Sequence, residues 1–394
     1  MQDYLREFKP AGRLLLGPGP ANAHPRVLQA MAMPLLGHLD PDFLRLMDDV
    51  REMLRQVFQT GNGLTLPISG TGTAGMEAAL VNMLEPGDTI VVGVNGFFGG
   101  RIAQIAERAG AKVVAVEHQW GRPLAPEAIK KGLDGQRKVK AVAMVHGETS
   151  TGVLTPLPEL VRLAHEHDAL FMVDAVTSLG GVDLRVDEWG IDVCFSASQK
   201  CLACPPGLAP TTFGARALAA LDSRKTPVQS LYFDLNMLRT YWHQRSYHHT
   251  APISMLFALR EGLRLVLEEG LEARFARHKR VAAALCAGLE ALGLELFAQE
   301  GYRLPQLTTV VIPDGVKDAD VRGALLRDYN IEIGGGLGEY AGRLWRIGLM
   351  GHNATPANVL YLLSSLEEVL ARQGFEVPLG QGVAAAQRAL ARSV

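Results

Sequence analysis

At 394 residues the chain is too long for one core of ordinary size, so two domains, or one large domain with a smaller partner, are expected. Hydrophobic residues make up 48% and charged residues 20%, a globular composition that leaves no room for a long disordered tract. The balance of 39 basic against 41 acidic residues excludes the electrostatic footprint of a nucleic-acid binder and points to a small-molecule partner. No apolar run reaches the roughly 18 residues of a membrane span, and the opening MQDYLREFKP lacks the apolar stretch of a secretory signal, so no membrane partner and a cytoplasmic location are expected. Three of the four cysteines (Cys194, Cys201, Cys204 and Cys286) cluster in one short apolar segment, unlike an extracellular disulfide framework, and reduced thiols are expected.

Asp40-Pro41 starts the first long helix, an N-cap followed by proline in the first turn, with Phe43, Leu44, Met47, Val50, Leu54 and Val57 on one apolar face. Strands are predicted over 89–94, 112–116, 140–145, 169–173 and 191–196, with helices between them that include 101–108 and 158–167. This alternation is the signature of a doubly wound, mostly parallel sheet, in which ligands gather at the carboxyl ends of the strands. An aromatic and histidine-rich loop follows over 231–250. Two long helical patterns then run from Pro252 to Leu292, followed by strand-like LTTVVIP, a helix near Asp320, and RLWRIG. The C-terminal third reads as a smaller α+β domain. The tail GQGVAAAQRALARSV reads as a short, loosely packed helix or a frayed end.

Three features fall at strand ends. Asp174 directly follows the apolar strand ALFMV, where an aspartate can equally be an N-cap or turn former. Lys200 in SASQKCLACPPG is flanked by Cys201, Leu202 and Ala203. Desolvation there would lower its pKa and raise its nucleophilicity, although a lysine snorkelling from a strand end is the competing reading. SGTGTAGMEAAL is a Gly/Thr-rich turn leading into a helix, whose free N–H groups and hydroxyls make a phosphate cradle. It matches neither the Walker pattern nor the dinucleotide fingerprint. Together the three describe one ligand, with a phosphate for the helix N-terminus, a pyridinium nitrogen for the carboxylate and an aldehyde for the lysine. Pyridoxal 5'-phosphate has these parts, and no metal is called for.

The stretches LLLGPGPANAHPRVL, SGTGTAGMEAAL, NGFFGGR, VHGETSTGVLTPL, VDAVTSLGG, SQKCLACPPGLAP, SYHHTAPI and WRIGLMGHNAT carry a resemblance that runs from Leu15 to about Leu370. The chain resembles the class V, fold type I aminotransferases, in the alanine–glyoxylate and serine–pyruvate branch. The resemblance implies an α/β fold with a large pyridoxal-phosphate-binding domain and a smaller C-terminal α+β domain, placed here as an arm over 1–22, a large domain over 23–268 and a small domain over 269–394. It also implies that Lys200 forms the internal aldimine and shuttles the proton, and that Asp174 keeps the pyridine nitrogen protonated. Thr71, Gly72, Thr73 and Gln199 would bind the phosphate. Phe98, where many relatives place tryptophan, would stack on one ring face, Val176 would pack on the other, and Thr149 would reach the ring hydroxyl. Arg346 would pair with the substrate carboxylate. Tyr247 and Thr250 would reach the phosphate of a neighbouring subunit, making a homodimer with shared sites.

HGETSTG, the SQKCL loop, YFDLNML and EEGLEARFARHKR also resemble a bacterial subgroup that transfers an amino group from ureidoglycine to glyoxylate. That subgroup tends to carry asparagine in place of Tyr247 and glutamine in place of His38, so these two residues favour alanine or serine as donor, with glyoxylate or pyruvate as acceptor. A cysteine desulfurase or related lyase would need a nucleophilic cysteine on a mobile loop, and 331–342 has none. A catalytic role for His248 and His249 stays open against a structural one. Cys201 and Cys204 read as core packing rather than a redox or zinc pair.

Overall fold

The structure is a computed structural model that describes residues 3–392, and it divides its hydrophobic residues between two main cores. The larger core runs from Val27 to Val266 and surrounds a seven-stranded sheet. The strands lie in the spatial order Leu64–Ser69, Leu208–Phe213, Val193–Phe195, Leu170–Asp174, Ala141–Val145, Thr89–Val94 and Lys112–Glu117. Leu208–Phe213 alone among the seven strands runs opposite to the other six, so the predicted doubly wound α/β sheet is present in mixed form.

The five predicted strands form within a residue or two of their expected limits, but Leu64–Ser69 and Leu208–Phe213 escape prediction. Each contains a proline, which cannot donate to a ladder and argues against a strand when read locally. In the fold, Pro67 and Pro210 stand opposite each other in register, and Leu64–Ser69 is the edge strand.

Helix Pro41–Phe58 begins as its sequence dictates, with the Asp42 N–H donating to the Asp40 carboxylate at 2.8 Å. Its stripe of Phe43, Met47, Val50, Leu54 and Val57 is buried, and the helix packs on Ile253–Glu269. The segment read as a loop over 231–250 contains a further helix, Leu235–Gln244. Asp234 caps it by accepting from the Asn236 N–H, and Leu235, Leu238, Tyr241 and Trp242 pin it to the core. Among the described residues no helix is long and apolar enough to cross a membrane.

The second core lies around the antiparallel strands Leu307–Val311, Leu344–Gly348 and Gly334–Gly335 and their helices. The N-terminal segment joins it, because Leu14–Leu15 pairs with Ile331–Glu332 and Leu16 is buried there. The tail corrects the expectation of a loose end, although its last residues, Ser393 and Val394, lie outside the described residues. Helix Gln381–Arg392 packs on Leu271–Ala291 and Pro356–Arg372 and buries Gly382, Ala385, Ala386 and Leu390. Small residues allow this close approach: a Cβ on Gly288 would lie 3.0 Å from the Gly382 carbonyl. The buried Glu367 completes the dock by accepting from the Gly380 and Gly382 N–H groups at 2.7 and 3.1 Å, which satisfies orphan donors at the helix N-terminus.

Candidate active site

The carboxyl ends of the strands surround a cavity of ≈ 210 Å³, lined by the turn Thr71–Thr73 with Met76, by Phe98, Arg101 and Thr149, and by Asp174, Val176, Gln199 and Lys200. Nine of the residues picked out from the sequence therefore converge: Thr71, Gly72, Thr73, Phe98, Thr149, Asp174, Val176, Gln199 and Lys200. Helix Gly72–Met83 points its N-terminus into this space, and Thr71, its N-cap, makes no side-chain cap bond, which leaves the first N–H groups for a ligand. Gly72 has to be small, since a Cβ there would lie 3.0 Å from Ala197 and 3.1 Å from Val176.

Asp174 ends the central strand Leu170–Asp174 and is buried. Burial pushes its carboxyl up to about 7, against the 2.8 Å hydrogen bond it accepts from the Val176 N–H, with the Glu148 carboxyl adding to the rise. Burial pulls the Lys200 amine down to about 8, helped by the positive charge of Arg346. The amine donates to the Pro18 carbonyl, and the side chain lies so close to the N-terminal segment that a Cβ on Gly19 would come within 2.6 Å of Lys200 Cδ. The lysine is therefore a desolvated amine and not a snorkelling one.

Two contributors escaped the sequence reading. Glu148, inside HGETS beside Thr149, is fully buried and accepts from the N–H groups of Phe98 at 3.0 Å, Gly99 at 3.3 Å and Ser150 at 3.0 Å, and from the Ser150 hydroxyl at 2.7 Å. It caps the helix Phe97–Arg108 and so orients Phe98. Arg101, one turn along that helix, sets its guanidinium 4.9 Å from the Phe97 ring centre and 5.3 Å from that of Phe98. The only local signal for either was a charged residue close to a strand end.

Arg346, His38, Tyr247 and Thr250 do not line this cavity. Arg346 is buried on the strand Leu344–Gly348, where burial pulls its guanidinium down to about 10 and its Nε donates to the Gly335 carbonyl at 2.6 Å. Its charge still acts on Lys200. Tyr247 is 62% exposed and Thr250 is also exposed, while the Tyr247 and His38 rings meet at 5.4 Å between centres. Cys201 and Cys204 are buried, and their thiols donate to the carbonyls of Thr177 and Ala258. Burial pushes them up to about 11 and about 12, so packing is their role.

Residues 14–344 match the family model of the class-V aminotransferases. The chain belongs to this family. It is 43% identical over 400 residues to the (S)-ureidoglycine–glyoxylate transaminase of Bacillus subtilis (strain 168), covering 97% of this chain and 96% of that one. It is 45% identical over 363 residues to the alanine–glyoxylate aminotransferase of Callithrix jacchus, covering 91% and 87%. The crystal structure of the ureidoglycine–glyoxylate aminotransferase from Bacillus subtilis superimposes with a TM-score of 0.95 at 45% identity, over 98% of this chain and 99% of that one. The protein is an aminotransferase of fold type I.

Proposed function

We propose that this aminotransferase binds pyridoxal 5'-phosphate in the cavity at Lys200 and moves an amino group from alanine or serine to glyoxylate or pyruvate. The observation that carries the reading is the meeting of three groups in one cavity: an uncapped helix N-terminus, a buried carboxyl and a desolvated amine. The residues fit the cofactor. The uncapped N–H groups at the start of helix Gly72–Met83 are the donors a phosphate needs, and Asp174, which burial raises to about 7 despite the charges of Lys200 and Arg101, is a carboxyl that a cationic ring nitrogen would stabilise as its anion.

Thr71, Gly72, Thr73 and Gln199 would hold the phosphate, Asp174 the ring nitrogen and Lys200 the aldehyde carbon. Phe98 and Val176 would hold the ring faces, and Thr149 the ring hydroxyl. When bound, the cofactor supplies an electron sink for the charge left at the substrate α-carbon. Lys200 Nζ moves the proton at that carbon, a task suited to an amine whose neutral form is well populated near pH 8. Asp174, as a carboxylate, holds positive charge beside the ring nitrogen. Arg346 binds the carboxylate shared by donor and acceptor.

Arg346→Ala is therefore expected to raise the half-saturation for amino donor and oxo-acid acceptor alike. A lost charge-assisted bond of about 1.5–3 kcal/mol corresponds to roughly 10- to 150-fold. Steady-state kinetics with each substrate varied in turn checks this; an effect on one substrate alone would make Arg346 a side-chain selector.

Tyr247 and Thr250 are exposed and stand apart from their own chain's cavity, which supports a homodimer in which they serve the neighbour's phosphate. A cytoplasmic location belongs to the same reading, supported by four free cysteines. A second donor, ureidoglycine, is favoured by the likeness to the Bacillus subtilis transaminase, while the Tyr247–His38 ring pair speaks for alanine or serine. Tyr247→Asn decides between them. If this ring shapes the entrance, the ratio of specificity constants for alanine over ureidoglycine falls in the variant. An unchanged ratio, with ureidoglycine already the best donor of the wild type, would establish the second reading.

A further inference from the structure

The histidine pair next to Tyr247 forms a chain of hydrogen bonds that ends on the phosphate turn. Ser69, the last residue of the edge strand and two residues before Thr71, has its hydroxyl 2.8 Å from His249 Nε2. His249 Nδ1 lies 2.8 Å from His248 Nδ1, and His248 Nε2 lies 3.1 Å from the Leu231 carbonyl. The rings of Tyr232 and Tyr241, at 5.2 and 5.5 Å between centres, confine the His249 imidazole.

With both rings neutral, the Leu231 carbonyl sets the direction of the whole chain. A carbonyl only accepts, so His248 carries its proton on Nε2 and its Nδ1 must accept. His249 then carries its proton on Nδ1, and its Nε2 accepts from the Ser69 hydroxyl. Burial, reinforced by the neighbouring His248, pulls His249 down to about 4 and so keeps it neutral.

We infer that His249 is a positioning residue for the phosphate turn: by taking the Ser69 hydroxyl proton in a hydrogen bond, it fixes the strand end from which Gly70–Thr73 departs and ties it to the segment that carries Tyr247 and Thr250. Gly70 shows how little slack the turn has. Its φ is +147°, and a Cβ there would lie 2.5 Å from the Ala74 Cβ. A displaced Ser69 would therefore be passed on to the N–H groups of the cradle.

The inference rests on the reading that Thr71–Thr73 hold the cofactor phosphate, and its test separates the two. Apo-protein is titrated with pyridoxal 5'-phosphate and with pyridoxal, and the ratio of dissociation constants is taken, which cancels the Lys200 chemistry common to both. Equal affinities in the wild type would remove the cradle reading itself. With a wild-type preference for the phosphate form, His249→Phe, which keeps a ring but no acceptor, and Ser69→Ala should each lower the ratio about 3- to 10-fold. The double variant should lower it no further than either single one, and His249→Gln, which can still accept from Ser69, should restore most of it. An unchanged ratio in His249→Phe and Ser69→Ala would overturn the inference. Nitrogen-15 spectra of histidine-labelled wild-type protein, taken at a pH above the ordinary imidazole range, test it without substitution. They should show His249 protonated on Nδ1 and His248 on Nε2, and the opposite tautomer at His249 would also overturn it.

Discussion

Purified wild-type protein should be yellow, and Lys200→Ala should be colourless and without measurable transamination, because among the described residues no other lysine lines the cavity to hold the cofactor aldehyde. Borohydride reduction followed by peptide mapping should place the fixed cofactor on the peptide that contains Lys200; a label on any other lysine would sink the assignment. The pH dependence follows from the sign of the shift. Burial lowers the lysine from its ordinary 10.5 to about 8, so the amine is charged and unreactive below that value and neutral above it. The rate at which apo-protein captures pyridoxal 5'-phosphate should therefore climb with pH through about 8 and then level off. A rate still climbing steeply near pH 10 would mean that the amine is solvated, contrary to its burial.

Asp174→Ala is expected to have an effect of the same class. Removal of the only carboxyl that lines the cavity among the described residues leaves nothing there to keep the ring nitrogen protonated, so turnover should be lost and the cofactor retained less tightly. Asp174→Asn sharpens the test, since it keeps the volume and an acceptor for the Val176 N–H but not the charge. If the charge is what matters, Asn should be nearly as inactive as Ala while folding normally. Turnover at the wild-type rate in either variant would rule the role out. The value of about 7 is reached although the charges of Lys200 and Arg101 already draw it down. A cationic ring nitrogen in contact with the carboxyl would draw it down further, so this group should not add an inflection near pH 7 to the profile of the loaded enzyme.

Much of this site was legible in the sequence because it rests on short-range rules. The caps of Pro41–Phe58, the β-branched runs and the turn Ser69–Thr73 are each decided within a few residues, and a doubly wound pattern brings the residues after its strands to one edge. Asp174, Lys200 and the phosphate turn are legible for that reason. Tertiary structure decided the rest. The strands with Pro67 and Pro210 exist because long-range pairing tolerates what local propensity disfavours, and the C-terminal helix is firm because Glu367 caps its start and Gly288, distant in sequence, lets it approach closely. Glu148 and Arg101 gain their roles from the packing of helix Phe97–Arg108 against the loop after Ala141–Val145. The same holds for His249, whose place beside the phosphate turn depends on a contact with Ser69 across 180 residues. Periodicity and capping act over one or two turns of chain, whereas burial, charge coupling and which hydroxyl meets which imidazole are properties of surfaces that form only once the chain has closed on itself.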